Sequence, residues 1–155
     1  MSRIILFENS IFNAENITQV LIDVNHMFNP DLKTRILKKS GLNTFGEYVN
    51  KVICNGSILI SCEKEVIEGV CMIYHNDLVN FTAYIPIIAV RNNFQKKGVG
   101  QRLLEYSFEL AVSNKMKKIV IKTWKTNDGA IQFYNKNGFV VTEQHNFDIT
   151  LEKNL

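Results

Sequence analysis

A short basic segment that contains two glycines, Gln95-Lys96-Lys97-Gly98-Val99-Gly100, could bind an anion. It follows the apolar run Ile87–Val90 and precedes a predicted helix. The first turn of a helix leaves backbone N–H groups unpaired and carries partial positive charge, which favours an anionic ligand. Glycines at positions 98 and 100 would let a pyrophosphate approach the backbone without a Cβ in the way. The alternative is that the glycines only pack a helix against a sheet.

The spacing of these glycines excludes two common phosphate-binding motifs. The segment lacks the G-x-x-x-x-G-K-[ST] pattern of a P-loop, and no G-x-G-x-x-G pattern is present. The strands predicted before it are also antiparallel, whereas a dinucleotide fold needs parallel strands.

A second segment, Asn127 to Phe139, combines a helix start, an aromatic face and a helix stop. Asn127 can cap a helix and Gly138 can end it. Ala130, Phe133 and Tyr134 are three or four residues apart and therefore share one side of that helix. By itself the segment predicts an ordinary amphipathic helix with Tyr134 as a core aromatic.

Taken together, the two segments resemble the GNAT family of N-acetyltransferases. That family has a Q/R-x-x-G-x-G/A phosphate loop after a bulged strand, followed about 30 residues later by N-x-x-A-x-x-F/Y-Y-x-x-x-G-F. Both patterns are present here in the same order, and the resemblance covers Tyr84 to Phe139. Pro86 agrees with it independently, because proline within a strand marks an edge or a bulge; a local irregularity is the alternative.

The resemblance implies acetyl-CoA as cosubstrate and no metal. It implies that the backbone of Ile88, Ala89 and Val90 pairs with the pantetheine arm, and that the Ile88 amide stabilises the oxyanion. Tyr134 would be the general acid for the departing thiolate. The remaining residues implied to contact the coenzyme are Gln95, Lys96, Lys97, Gly98, Val99, Gly100, Gln101, Asn127, Ala130 and Phe133.

The acceptor side departs from the family pattern. The strand Ala83–Ile88 carries no carboxylate that could serve as base, so Tyr84 or water would have to relay the proton. Lys122 and Trp124 share a strand face and could bind an anionic group and a flat or sugar ring. They could equally be an exposed lysine beside a packing tryptophan. Phe28 belongs to the early region that usually shapes the acceptor pocket in this family.

The remaining sequence predicts the elements that position these residues. Apolar periodicity and capping residues predict helices over Ala14–Phe28, from Asp31 through Lys39, and from Thr44, which forms a capping box with Glu47, toward Ile53. Further helices follow Gly98 and span Asp128–Lys136. Strands are predicted for the ranges Arg3–Phe7, Ser57–Cys62, Val66–Tyr74, Val79–Val90, Lys118–Thr123, Phe139–Thr142 and Phe147–Leu151.

These elements define a mixed α/β fold within one domain, residues 1–155. The resemblance makes it a GNAT-like fold: a twisted, mostly antiparallel sheet of six or seven strands, splayed at a β-bulge and flanked by about four helices. Family members are often dimers, so a homodimer is a further expectation that no residue specifies.

The composition of the chain excludes several classes of protein. The net charge of +3 and pI near 8.7 are too mild for a nucleic-acid-binding protein. No apolar run is long enough for a membrane span and no signal peptide is evident, so we expect a cytoplasmic protein. The three cysteines, Cys54, Cys62 and Cys71, form no C-x-x-C pair, and the histidines lack metal-ligand spacing.

The sequence therefore predicts an acyltransferase that moves an acetyl group directly from acetyl-CoA to a primary amine of a small molecule, such as an amino sugar or a nucleotide-linked amino sugar. Two alternatives remain at this stage. One is a protein or peptide N-acetyltransferase, and the other is a non-catalytic acyl-CoA-binding module.

Overall fold

The computed structural model describes residues 1–155 and contains seven strands and five α-helices, against the about four helices expected. The strands are β1 (Arg3–Leu6), β2 (Ser57–Glu63), β3 (Val66–Asp77), β4 (Thr82–Val90), β5 (Lys118–Trp124), β6 (Val140–His145) and β7 (Asp148–Asn154). The helices are α1 (Ala14–Val24), α2 (Leu32–Ser40), α3 (Phe45–Asn55), α4 (Val99–Ser113) and α5 (Asp128–Lys136). The predicted mixed α/β class is confirmed.

The strands form one sheet in the order β1-β2-β3-β4-β5-β7-β6. Only β4 and β5 are parallel, joined through α4, and the other five neighbouring pairs are antiparallel. A parallel pair needs a crossover connection, which α4 supplies. The predicted mostly antiparallel sheet is therefore confirmed, with seven strands.

Two hydrophobic cores cover the two faces of this sheet. One contains residues of α1, α2 and α3 packed on β2, β3 and the end of β4. The other contains residues of α4 and α5 packed on β4, β5 and β7. Cys62 and Cys71 are fully buried in these cores, as expected for small hydrophobic residues.

Side-chain caps fix the starts of α2 and α3. The Asp31 carboxylate accepts a hydrogen bond from the Thr34 N–H, and the Thr44 hydroxyl accepts one from the Glu47 N–H. The second half of the predicted capping box is wrong, because the Glu47 carboxylate accepts from the N–H of Asn43 instead of Thr44. The α2 helix ends at Gly41, whose φ of +70° is the left-handed conformation that glycine adopts most readily.

Several element boundaries differ from the sequence expectation. Strands β3, β6 and β7 each end three residues later than predicted, and the end of α1 and the start of β4 differ as well. Helix α1 ends at Val24, and a 3₁₀ turn replaces its last predicted turn. Strand β4 begins at Thr82 rather than Val79, because the Asp77 carboxylate accepts hydrogen bonds from the N–H groups of Val79 and Asn80 and fixes a turn there. The β-branched Val79 lies in this turn and is exposed.

The middle of β4 contains a β-bulge. Met72 of β3 pairs with Ile87, and Tyr74 pairs with Tyr84. Between these two pairs β4 covers three residue steps where β3 covers two, so β4 contains one extra residue. Pro86 lies within the extra step and has no N–H to donate, which is consistent with its use at a bulge. The bulge predicted from Pro86 is confirmed.

Candidate active site

The parallel strands β4 and β5 separate at the bulge and open a cavity. Their pairing runs from Thr82–Lys118 to Ile85–Ile121 and stops there. Beyond that point a cavity of about 660 Å³ lies between the two strands, the start of α4, and α5. Its apolar lining and few convergent polar groups are typical of a ligand site.

One wall of this cavity is an unpaired edge of backbone. The Arg91 N–H donates to the Glu68 carbonyl at 2.9 Å, so β4 directs that amide toward β3. Because successive N–H groups of a strand face opposite sides, the N–H groups of Ile88 and Val90 face away from β3, toward the gap. The Gln95 side chain confirms the direction, since its Nε2 donates across the gap to the Val90 carbonyl at 3.2 Å.

The second wall is the first turn of α4. Gly98 precedes the helix with φ of +79° and provides no side-chain cap. The first helical hydrogen bond is donated by the Arg102 N–H to the Gly98 carbonyl at 3.0 Å. The N–H groups of Val99, Gly100 and Gln101 therefore have no acceptor within the helix and carry its partial positive charge.

Gly100 points toward the cavity. A Cβ built there would lie 3.7 Å from Val90 Cγ2 and 4.0 Å from Phe133 Cζ, both of which belong to cavity-lining residues. The glycine therefore leaves space beside the unpaired amides that any larger side chain would fill.

Tyr134 of α5 brings a phenol into the cavity. The residue is 9% exposed and packs edge-on against Phe139, with ring centroids 5.6 Å apart. Its hydroxyl donates no hydrogen bond to the protein. Burial raises the pKa of Tyr134 well above the ordinary tyrosine value, and the nearby Arg35 guanidinium opposes only part of that shift. The phenol is therefore protonated at neutral pH.

Amide side chains at both ends of α5 fix this helix relative to the rest of the site. Asn127 caps the helix by accepting from the Ala130 N–H at 3.4 Å, and its Nδ2 donates to Thr123 Oγ1 at 3.2 Å. At the other end, Gln101 and Asn137 exchange two hydrogen bonds of 2.7 and 3.1 Å. Gln101 belongs to the first turn of α4, so this pair joins that turn directly to the helix that carries Tyr134.

The structure brings together nearly all residues that the sequence assigned to the coenzyme. The cavity is lined by Ile88, Ala89, Val90, Gln95, Lys96, Gly98, Val99, Gly100, Gln101, Asn127, Ala130, Phe133 and Tyr134. Lys97 is the exception, because it does not line the cavity and its ammonium lies 5.8 Å from the Phe94 ring centroid. Phe28, assigned to the acceptor, lines this same cavity.

The other residues that the sequence assigned to the acceptor line a second, smaller cavity of about 190 Å³. Tyr84 and Trp124 border it, and Lys122 borders both cavities. Lys122 and Trp124 therefore share a face, as their spacing on a strand predicted. The Trp124 ring stacks on Phe147 with centroids 5.6 Å apart, so packing accounts for one of its faces.

Sequence reasoning missed Arg35. This residue of α2 borders both cavities, and its Nη2 donates to Thr123 Oγ1 at 3.3 Å. Its guanidinium lies 5.5 Å from the Phe28 ring centroid. An arginine on an amphipathic helix ordinarily lies on the solvent side, and nothing local in the sequence distinguishes Arg35 from that case.

Carboxylates are scarce around the site. None lines the first cavity, and the second has only Asp148, which forms an ion pair with Lys39 at 3.1 Å. The structure contains no group of three or more His, Cys, Asp or Glu side chains placed to hold a metal ion. None of its helices is both long and apolar enough to cross a membrane.

Comparison with known proteins agrees with the geometry of this site. The model of the acetyltransferase (GNAT) family matches residues 27–139. The chain belongs to that family, and the resemblance inferred from the two segments is confirmed. The family that the model describes is one of acetyltransferases, the class of enzyme that the sequence predicted.

Particular relatives refine the comparison. Streptothricin acetyltransferase A of Bacillus subtilis (strain 168) is 37% identical over 62 residues, which is 40% of this chain. The match spans only about a third of that relative, 36% of its length. A Bacillus anthracis str. Ames protein assigned as a streptothricin acetyltransferase, solved with acetyl coenzyme A, is 27% identical, with a TM-score of 0.59 over 65% of this chain and 63% of its own.

A GNAT family acetyltransferase from Elizabethkingia anophelis, solved with acetyl-CoA bound, covers almost the whole fold. It superposes with a TM-score of 0.71 over 99% of this chain and 98% of its own, at 21% identity. At that identity the comparison shows the shared fold.

Proposed function

We propose that this protein transfers an acetyl group from acetyl-CoA to a primary amine of a small molecule. The observation that carries the proposal is the meeting of three features in one cavity: the unpaired β4 edge at Ile88 and Val90, the free amides at the start of α4, and the Tyr134 phenol. Each feature matches one part of the coenzyme, and the relatives solved with acetyl-CoA support that match.

The backbone would hold the coenzyme. The amides of Val99, Gly100 and Gln101 would bind the pyrophosphate at the helix start. The edge of β4 would pair with the amide groups of the pantetheine arm as a further strand would. In that position the Ile88 N–H would face the thioester carbonyl oxygen and stabilise the charge that develops there, a contribution typically worth about 3 kcal/mol.

The chemistry needs one proton removed and one supplied. The neutral amine attacks the carbonyl carbon, so a C–N bond forms and the C–S bond breaks. The Tyr134 phenol, protonated because burial raises its pKa, would donate to the departing thiolate. Since no carboxylate lines the first cavity, water would accept the proton that the amine loses.

A small acceptor is favoured over a protein chain. The region next to the first cavity that would receive the acceptor is the second cavity, whose volume of about 190 Å³ suits a metabolite-sized group. Retention of the Tyr134 phenol at the site favours an enzyme over a module that only binds acyl-CoA.

Calorimetric titration with acetyl-CoA tests the proposal. Gly100→Trp would fill the space between Val90 and Phe133, so we expect its affinity to fall at least about 100-fold, which corresponds to about 2.7 kcal/mol. Gly46→Trp is a matched control, because Gly46 is likewise the second residue of a helix but has only Thr44 Oγ1 near its Cβ position, at 3.9 Å. Equal binding by the two variants would contradict the assignment of this cavity to the coenzyme.

A further inference from the structure

Arg35 carries a charge that the protein does not neutralise. It is half-buried between the two cavities, and its only hydrogen bond from the side chain is the 3.3 Å contact with the neutral Thr123 hydroxyl. It takes part in none of the ion pairs of the structure. A guanidinium has five N–H donors, and removing it from water without an anionic partner is costly. Its position is therefore explained best by a ligand.

The charged side chains around Arg35 are mostly positive. The second cavity is bordered by four cationic side chains, Arg35, Lys39, Lys51 and Lys122, and by a single carboxylate, Asp148. Asp148 is already paired with Lys39 at 3.1 Å. Arg35, Lys51 and Lys122 thus form no ion pair with a carboxylate of the protein, and the excess of positive charge around the cavity favours an anionic ligand.

An independent observation comes from Tyr74. Its hydroxyl is buried, has no hydrogen-bond partner in the protein, and belongs to a residue that lines the same cavity. A buried phenol without a partner is unfavourable, because the lost hydrogen bond to water is not replaced. The O–H is a donor that an acceptor oxygen of a ligand would satisfy.

We propose that Arg35 and Tyr74 bind a carboxylate of the acceptor, so that the acceptor is a small amino acid-like molecule with both an amine and a carboxylate. This inference rests on the proposed function and names its substrate class. The planar guanidinium fork matches the two oxygens of a carboxylate. Arg35 borders both cavities, so a carboxylate held there would lie next to the first cavity, where the thioester would be bound. Lys122, at the same junction, adds positive charge.

The test compares matched amines. The purified protein is supplied with acetyl-CoA and with three sets of acceptors: amino acids, including β-alanine and γ-aminobutyrate; their carboxamides; and glucosamine with its 6-phosphate. The reaction is followed by the release of the free thiol of coenzyme A. We expect kcat/KM for a preferred amino acid to exceed that for its carboxamide about ten- to hundredfold, the range for a hydrogen-bonded charge pair.

Variants then assign the preference to Arg35. Arg35→Gln is expected to raise KM for the amino acid about ten- to hundredfold and to reduce the ratio of kcat/KM for the amino acid to that for its carboxamide by a similar factor. Arg35→Lys should retain part of the preference, and Tyr74→Phe should also raise KM. Lys38→Gln is the control, because Lys38 is an exposed residue of the same helix outside both cavities. Melting curves establish that each variant is folded.

Each outcome bears on the inference. If carboxamides, glucosamine or its phosphate are acetylated and no amino acid is, the inference is overturned and the proposed function stays intact. If Arg35→Gln prefers the amino acid over its carboxamide as strongly as the parent protein does, the assignment of the carboxylate site to Arg35 is overturned. Failure to turn over any amine despite tight acetyl-CoA binding would overturn it as well. Failure to bind acetyl-CoA would contradict the proposed function itself.

Discussion

Ile85 and Ile87 are two residues apart on one strand, yet they pack into opposite hydrophobic cores. Ile85 lies in the core formed with α4 and α5, and Ile87 lies in the core formed with α1, α2 and α3. On a regular strand, residues at i and i+2 share a face. The extra residue of the bulge exchanges the two faces of β4 between Ile85 and Ile87, at the point where its pairing with β5 stops.

The first prediction follows from this inversion. Deleting Pro86 removes the extra residue, so that Ile85 and Ile87 become neighbours on a regular strand and naturally face opposite sides. The protein should therefore still fold, but β4 could continue pairing with β5 and close the gap. We expect cooperative thermal unfolding to persist while acetyl-CoA affinity falls more than about tenfold.

Deletion of Leu78 is the matched control for that experiment. Leu78 is exposed, 68% accessible, in the turn before β4, and its loss should leave acetyl-CoA binding unchanged. Full-strength binding after deletion of Pro86 would show that the bulge does not hold the site open.

Replacement of Tyr134 by Phe removes the proposed proton donor and keeps the aromatic packing against Phe139. We expect kcat to fall by about 10²–10⁴-fold, the usual contribution of a general acid, with little change in acetyl-CoA affinity. Steady-state kinetics measures the effect on kcat, and calorimetry measures the effect on acetyl-CoA affinity. Tyr106→Phe, on the exposed side of α4, is the control. A kcat within a factor of two of the parent would assign the proton to water instead.

The pH dependence of kcat should have no alkaline decrease below pH 10. Burial raises the pKa of Tyr134, so the protonated phenol, which is the active form, persists above the ordinary tyrosine range. Because no carboxylate lines the first cavity, the acidic limb should follow the pKa of the acceptor amine and move when the amine is changed. An acidic limb that stays fixed for amines of different basicity would reveal a base on the enzyme.

Replacing the two glycines at opposite ends of α5 by alanine should change the free energy of unfolding in opposite directions. Gly138 has φ of +90°, and an added Cβ would meet Lys153 Nζ at 2.6 Å, so Gly138→Ala should destabilise the fold by about 1–2 kcal/mol. Gly129 lies in the first turn with nothing within 4 Å of its Cβ position. Gly129→Ala should stabilise by up to about 1 kcal/mol. Chemical denaturation measures both, and shifts of the same sign would contradict this account.

The coenzyme side of the site could be predicted from the sequence because it is local. The helix start at Gly98 and the cap at Asn127 are set by residues within one or two turns of each other, and both lie where predicted. Lys97 was included because charge can be read from sequence, whereas the direction of a long side chain cannot. Val79 was included in a strand because its β propensity is visible, whereas the Asp77 turn that overrides it is not.

The acceptor side could not be predicted in the same way, because tertiary contacts define it. Arg35 comes from α2 and meets Thr123 of β5, 88 positions further along the chain. Tyr74 of β3 reaches the same cavity from a third element. No spacing rule connects these residues, so their relation exists only in the folded protein.

The separation of the site along the chain has a consequence for redesign. The loop and helix starts that would hold the coenzyme come from Ile85–Tyr134, whereas Arg35, Lys39, Tyr48 and Lys51 of the second cavity come from α2 and α3. A library that randomises Lys39, Tyr48 and Lys51, which line the second cavity only, would therefore sample new acceptors against a constant acetyl donor. These three positions can be changed without altering the lining of the coenzyme cavity, whereas Arg35 and Lys122 belong to both cavities and a change there would affect both.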